Sequence, residues 1–218
     1  MLRLAHRGDW RVAPENSIEA FLAALRVPDC DGVELDVRLS GDGVPVVIHD
    51  ESLSRVQGHH GRVDQLEAEE LATLGVPALA AVLAGLPSDA WLNVELKGDR
   101  HRAATARILH AARGEAPANA VVSSFAPGSL VAMADLLPGW VRWLGTEDMS
   151  PATMSLAVGL GCGAVSATWE TITPASMRAA VAAGLEVAAW TVRRRPTFDR
   201  LARLGVIACC VEAAALDV

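Results

Sequence analysis

Tyrosine is absent from this chain of 218 residues, aromatic residues reach only 4%, and lysine occurs once, as Lys97. The four cysteines, Cys30, Cys162, Cys209 and Cys210, form no C-x-x-C pair and no zinc spacing. Cys162, Cys209 and Cys210 lie in apolar stretches, so they read as small buried hydrophobes rather than as a disulfide framework or a metal site. No apolar run reaches the roughly 18 to 20 residues that a membrane helix needs. The richest runs, Ala179–Val192 and Val206–Leu216, each contain a glutamate. His6-Arg7-Gly8 arrives before any secretory h-region would fit, so the expectation is a cytoplasmic protein with no stable membrane insertion. A basic surplus is missing too. Acidic residues outnumber basic ones 26 to 19, for a formal net charge of -7, which argues against a broad electrostatic footprint for nucleic acid or anionic lipid. Every basic residue except Lys97 is arginine, and the exception raises the question of what arginine would not do at that position.

What is present suits one large core. Hydrophobic residues make up 51% and charged ones 21%, and no linker or charge block divides residues 1–218, which read as a single domain. Strand-like runs fall at Leu2–His6, Gly32–Val37, Trp91–Lys97, Ala120–Phe125, Val141–Gly145, Gly163–Ala167, Leu185–Val192 and Val206–Glu212. Helical windows alternate with them at Ser17–Arg26, Ala78–Ala84, Arg100–Ala112, Ser129–Leu136, Pro151–Val158, Pro174–Ala183 and Pro196–Leu204. Pro151, Pro174 and Pro196 mark first helical turns, and Asn16 with Glu19 three residues on has the spacing of a helix start. Val44–His49 follows the turn Ser40-Gly41-Asp42-Gly43, too short a connection for a parallel crossover, so it folds back as an antiparallel hairpin. Eight parallel strands then remain, the count of a (β/α)8 TIM barrel with an insertion of about residues 41–75 after the second strand. The runner-up, an open doubly wound sheet, lacks a G-x-G-x-x-G after its first strand.

Barrel sites lie at the carboxyl ends of the strands. Those ends carry His6-Arg7-Gly8, Glu34 with Asp36, Glu95 with Lys97, Ser123-Ser124-Phe125 and Trp190-Thr191, and the hairpin returns His49 and Asp50 to the same mouth. Residues two apart on a strand share a face, so Glu34 and Asp36 point together, as do Glu95 and Lys97. Three converging carboxylates repel one another and demand a cation. An all-oxygen set suits one divalent cation, Mg2+ or Ca2+, better than Zn2+; a structural salt-bridge network on Lys97 is the competing reading. Two histidines near neutrality can supply one general base and one general acid, and Arg7 offers a fork for phosphate. Together these residues point to phosphodiester cleavage. A compact ammonium at position 97 would fit between carboxylates and phosphate where a guanidinium would crowd the cation.

His6-Arg7-Gly8, Pro14-Glu15-Asn16-Ser17, Glu34-Leu35-Asp36-Val37 with Asp42-Gly43, His49-Asp50, Glu95-Leu96-Lys97, Ser124-Phe125 and Trp190-Thr191-Val192 occur in that order. The set resembles the glycerophosphodiester phosphodiesterase family of phospholipase C-like TIM barrels, from Leu4 to about Gly205. The resemblance implies hydrolysis of a small-molecule glycerophosphodiester to glycerol 3-phosphate and an alcohol. It implies Glu34, Asp36 and Glu95 as metal ligands, His6 and His49 as the acid/base pair, and Arg7 and Lys97 as phosphate holders. It further implies attack by the neighbouring glycerol hydroxyl, then opening of a cyclic phosphate by water, with the two histidines exchanging roles. Phe125 and Trp190 either wall the glycerol pocket or belong to the core. Asn16 and Glu19 either cap the first helix or serve the site, and Glu15 lies close enough in sequence to support Arg7. His59 and His60 read as a solvated loop, and His101 and His110 as helix surface. The chain departs from the family pattern at Arg193, commonly Asn, and at Val211-Glu212, usually Thr-Asp. Neither position belongs to the metal or histidine set, so both are expected to bear on substrate preference. The alternatives are a related phosphodiesterase acting on lysophospholipids or other phosphodiesters, and a non-catalytic barrel that binds phosphorylated ligands. No amphipathic docking helix favours the lysophospholipid reading. The sequence leaves the oligomeric state open.

Overall fold

The structure is a computed structural model that describes residues 1–98 and 103–217. Nine strands join one sheet: β1 (Leu2–His6), β2 (Gly32–Leu39), β3 (Pro45–Val47), β4 (Trp91–Leu96), β5 (Ala120–Ser124), β6 (Val141–Thr146), β7 (Ala164–Thr168), β8 (Glu186–Val192) and β9 (Ala208–Val211). All but β3 run parallel, in the order β1-β9-β8-β7-β6-β5-β4-β2, and pairing of β1 with β2 closes the ring. This is a TIM barrel. β3 is the antiparallel hairpin partner of β2, in the register Val37 to Val47 and Leu39 to Pro45. Its turn needs Gly43 at φ +80, a left-handed conformation that glycine adopts without a Cβ penalty.

The helices are α1 (Ile18–Ala24), α2 (Ala68–Thr73), α3 (Leu79–Gly85), α4 (Ala103–Arg113), α5 (Pro127–Leu136), α6 (Pro151–Gly159), α7 (Pro174–Ala182) and α8 (Arg195–Leu204). Proline occupies the first turn of α5, α6, α7 and α8, where its missing N–H costs nothing. Two expectations change. The N-cap of α1 is Ser17, whose hydroxyl accepts from the Ala20 N–H at 3.1 Å, and Asn16 is turned elsewhere. The insertion holds α2, unmarked in the sequence reading, and packs its own apolar cluster of Val46, Ile48, Leu53, Val63, Leu71 and Val76. The window at residues 100–112 is seen as α4 from Ala103; Arg100, His101 and Arg102 lie outside the described residues. Among the described residues no helix is long and apolar enough to cross a membrane.

Strand periodicity explains how the barrel can be apolar outside and polar at its mouth. Val33, Leu35 and Val37 of β2 and Leu92, Val94 and Leu96 of β4 are buried beneath the helices in the main core. The alternate residues face the barrel axis. At the floor these are Leu4, Val121, Trp143, Ala164, Ala188 and Ala208, with Trp91 stacked on Trp143 at 5.5 Å. Gly32 makes room for this plug, since a Cβ there would fall 2.0 Å from the Trp91 carbonyl oxygen. Two residues further along six of these strands the inward positions are His6, Glu34, Asn93, Ser123, Ser166 and Cys210, which line a cavity of about 310 Å³.

Candidate active site

Each site side chain is placed by a strand end. After β1 the chain turns sharply, with Arg7 at φ 60 and Gly8 at φ 83. The Arg7 N–H donates to the backbone oxygen of Glu34 at 2.9 Å and to its carboxylate Oε2 at 3.2 Å. A Cβ on Gly8 would lie 2.6 Å from the Ala20 backbone, so only glycine lets this turn lie against α1 and deliver Arg7 to the mouth.

Glu34 and Asp36 from β2 and Glu95 from β4 bring carboxylate oxygens within 4.8 Å of one another. Asp36 is fully buried and Glu34 nearly so. Two cations flank them. Lys97 Nζ lies 3.0 Å from Asp36 Oδ1 and also contacts Glu95. Arg7 Nε lies 3.1 Å from Asp36 Oδ2, and Arg7 also donates to Glu15 Oε1 at 3.0 Å. Asn16 grips Asp36 from both sides: its amide donates to Oδ2 at 2.8 Å and its oxygen accepts the Asp36 N–H at 3.2 Å. The competing salt-bridge network is therefore present, but it is unevenly shared. Burial together with the charges of Asp36 and Glu95 pushes the Glu34 carboxyl well above its ordinary range. Burial and Asp36 raise Glu95 as well. Asp36 moves the other way, because Lys97 and Arg7, aided by His49 and His6, overcome its burial. Lys97 is raised: the Asp36 and Glu95 carboxylates outweigh the effect of its own burial. Glu34 Oε1 is buried without a hydrogen-bond donor. A buried, donorless oxygen in an all-oxygen triad fits a hard divalent cation better than it fits a completed ion-pair network.

Both histidines are held by carboxylates. His6 Nδ1 lies 2.5 Å from Glu212 Oε1. Although burial opposes it, the His6 hydrogen bond lowers the Glu212 carboxyl to about 2; an ionised carboxylate only accepts, so Nδ1 carries the proton. His6 Nε2 then faces the site, 3.8 Å from Glu34 Oε2. Arg193 Nε donates to the other Glu212 oxygen at 2.7 Å. His49 repeats the pattern: its Nδ1 lies 2.7 Å from Asp50 Oδ1, and the His49 carbonyl accepts from Arg38 Nε at 2.7 Å. Burial lowers the His49 imidazole from its usual value, which favours the neutral, proton-accepting form.

All the residues read from the sequence as site candidates line or border one cavity. His6, Arg7, Glu34, His49, Glu95, Lys97, Phe125 and Trp190 line it directly, and Asp36 closes its inner wall through Lys97 and Arg7. Phe125 is 43% exposed and packs edge-on against Trp190 at 5.3 Å, so these aromatics are a wall of the mouth and not core. His59 and His60 are exposed and His110 sits exposed on α4, away from the cavity lining. One expectation is overturned. Glu212 does belong to the histidine set, because barrel closure lays β9 beside β1. Of the two roles open to Asn16 the structure shows the one at the site, while Asp50, already expected at the mouth, holds His49 and Arg193 holds Glu212. The Glu15 support of Arg7 is present as the hydrogen bond described above.

Comparison with known proteins agrees with this geometry. A family model described as the glycerophosphoryl diester phosphodiesterase family matches residues 6–215. A glycerophosphodiester phosphodiesterase of Caldanaerobacter subterraneus is 27% identical, covering 94% of this chain and 91% of the relative. A phosphodiesterase of Oleispira antarctica, solved with the product sn-glycerol-3-phosphate, is 26% identical with a TM-score of 0.86, covering 97% of this chain and 92% of the other. A glycerophosphodiester phosphodiesterase of Agrobacterium tumefaciens is 28% identical with a TM-score of 0.81, covering 99% and 98%.

Proposed function

Because the chain belongs to the glycerophosphoryl diester phosphodiesterase family, we propose that it hydrolyses a glycerophosphodiester to glycerol 3-phosphate and an alcohol. The observation that carries this reading is the convergence of two carboxylate-bound histidines, three carboxylates, Arg7 and Lys97 on one cavity of about 310 Å³. That volume lies at the small end of the range for small-molecule sites.

Glu34, Asp36 and Glu95 would hold one divalent cation, Mg2+ or Ca2+. When bound, it would draw negative charge from the phosphate oxygens. Arg7 and Lys97 stand beside the same carboxylates and hold the phosphodiester against them. Phe125 and Trp190 wall the glycerol end. In the first half-reaction one histidine Nε2 takes the proton of the glycerol 2-hydroxyl as that oxygen attacks phosphorus. The P–O bond to the alcohol breaks, and the other histidine protonates the departing oxygen. In the second half the roles reverse: water is deprotonated, attacks the cyclic phosphate, and the ring oxygen receives a proton. His49, held toward its neutral form by burial, suits the accepting role in the first half. Glu212 and Asp50 keep both Nδ1 atoms protonated and both Nε2 atoms turned to the substrate.

The test is direct. Glycerophosphocholine and glycerophosphoethanolamine are incubated with the protein plus Mg2+, Ca2+ or a chelator, and glycerol 3-phosphate is assayed. Product that depends on added cation supports the reading. Turnover untouched by chelation removes the cation from it, and absence of product under every condition removes the activity.

A further inference from the structure

Arg55 lies in the insertion, outside the cavity lining, yet its guanidinium spans two carboxylates that each hold a site residue. Its two terminal nitrogens meet Glu15 as a parallel pair, Nη1 to Oε2 and Nη2 to Oε1, both at 2.7 Å. Its Nε donates to Asp50 Oδ2 at 2.6 Å. Glu15 in turn accepts from Arg7, and the second oxygen of Asp50 faces His49 Nδ1. A planar fork can hold one carboxylate by two parallel hydrogen bonds and a second through Nε, which fixes their relative orientation.

We propose that Arg55 is a positioning residue that fixes Arg7 and His49 relative to each other, a role that rests on the function proposed above. The two groups reach the mouth on separate segments, one after β1 and one after β3. The hydrogen-bonded sheet sets their backbone spacing, since β1 and β3 both pair with β2 and the Arg7 and Ile48 N–H groups donate to the Glu34 and Asp36 carbonyls, but it leaves their side chains without a mutual coupling. The Arg55 clamp supplies that coupling, across 40 residues on one side and 5 on the other. Without it, Glu15 and Asp50 are two carboxylates near one another with a counter-charge removed. Each gains freedom to rotate off the residue it orients. The Arg55 side chain is 47% exposed, so its ion pairs add little to overall stability. Its effect is confined to geometry, where displacement by about an ångström is costly to turnover.

Arg55→Ala, Arg55→Lys and the double variant Glu15→Gln/Asp50→Asn are compared with the unaltered protein by three readouts. These are kcat and KM on glycerophosphoethanolamine, melting temperature, and the His49 ring resonances in cation-free protein by heteronuclear NMR. Arg55→Ala is expected to lower kcat about 10- to 100-fold, as loss of an orienting partner commonly does, with the melting temperature nearly unchanged and the His49 resonances moved. Because the site is open to solvent, guanidinium ion at tens of millimolar restores part of the loss, and equal sodium chloride does not. Arg55→Lys recovers less than half of it, since a single ammonium cannot reproduce the parallel pair to Glu15 together with the Nε contact to Asp50. Adding Arg55→Ala to the double variant costs less than about threefold, because the route through Glu15 and Asp50 is already cut. An Arg55→Ala enzyme within about twofold of normal kcat, a full additive loss in the double background, or unmoved His49 resonances each overturns the proposal. If the unaltered protein hydrolyses no glycerophosphodiester, the function reading falls, and the His49 resonances still decide the clamp.

Discussion

Replacing Glu34 with glutamine should make the cation-free protein more stable while removing its response to cations. Glu34, Asp36 and Glu95 place oxygens within 4.8 Å of each other. Two full charges at that distance repel by about 3.5 kcal/mol at an effective dielectric constant of about 20. Lys97 and Arg7 neutralise part of this, and the raised Glu34 carboxyl avoids more by binding a proton. Roughly half of the repulsion, about 2 kcal/mol, escapes both. In a chain of this length that is a gain of about 4–8 °C in melting temperature. The sign follows from linkage. An acid raised in the folded state lowers stability once pH climbs past the ordinary glutamate range. The gain is therefore present at neutral pH and fades below about pH 4, where the unfolded chain is protonated as well. With cation at about a hundred times its Kd the order should invert, since the unaltered protein gains about 2.7 kcal/mol by mass action and the variant gains little. Thermal melts in chelator and in Mg2+ or Ca2+, at neutral and acid pH, measure all of this. A Glu34→Gln protein that is less stable than the original in chelator refutes the reasoning, because it would mean that Glu34 is satisfied by its protein neighbours alone.

Further outcomes follow from the same geometry. His6→Ala and His49→Ala should each lower kcat by about 100-fold or more, read in steady-state assays of glycerol 3-phosphate release. Lys97→Arg should impair turnover with the melting temperature preserved, because a guanidinium is too broad for the space between Asp36 and Glu95; normal kcat would make Lys97 an accident of composition. Glu212→Gln should lower kcat and Glu212→Asp recover part of it, since a neutral amide can also present its N–H to His6 Nδ1 and so no longer fixes the tautomer. Equal kinetics for the two variants would leave Glu212 a structural residue. Gly32→Ala should destabilise the protein by several kcal/mol in chemical denaturation, because its new Cβ meets the Trp91 backbone at 2.0 Å and that strand has no freedom to retreat.

The barrel was legible because its strands are buried on both faces and read as short apolar runs between helical windows, and because the Asp42-Gly43 turn separates β3 from the parallel set. The carboxylates and Lys97 were legible for the same geometric reason: two residues on a strand share a face. Glu212 was not, since its partner His6 is 206 residues away and only ring closure brings the first and last strands together. Asn16 was ambiguous because Asn-x-x-Glu also spells a helix start; Ser17 takes that role and frees Asn16, at φ 61, to hold Asp36. α2 escaped notice because six residues with one buried side chain, Leu71, leave almost no periodic signal.

The cavity is divided around its circumference. His6, Glu34, Glu95, Lys97 and Glu212 line it at the ends of β1, β2, β4 and β9, adjacent in the sheet, while strands β5 to β8 contribute Ser123, Gly145, Ser166 and Trp190, and the turns beyond β6 and β8 add Glu147 and Arg193. Strands β5 to β8 carry none of the groups proposed to move protons or hold the cation. Selection, natural or in the laboratory, can therefore rebuild the β5 to β8 half of the wall while the reacting half stays fixed. A library confined to positions 123, 166 and 190 would sample substrates without sampling mechanisms.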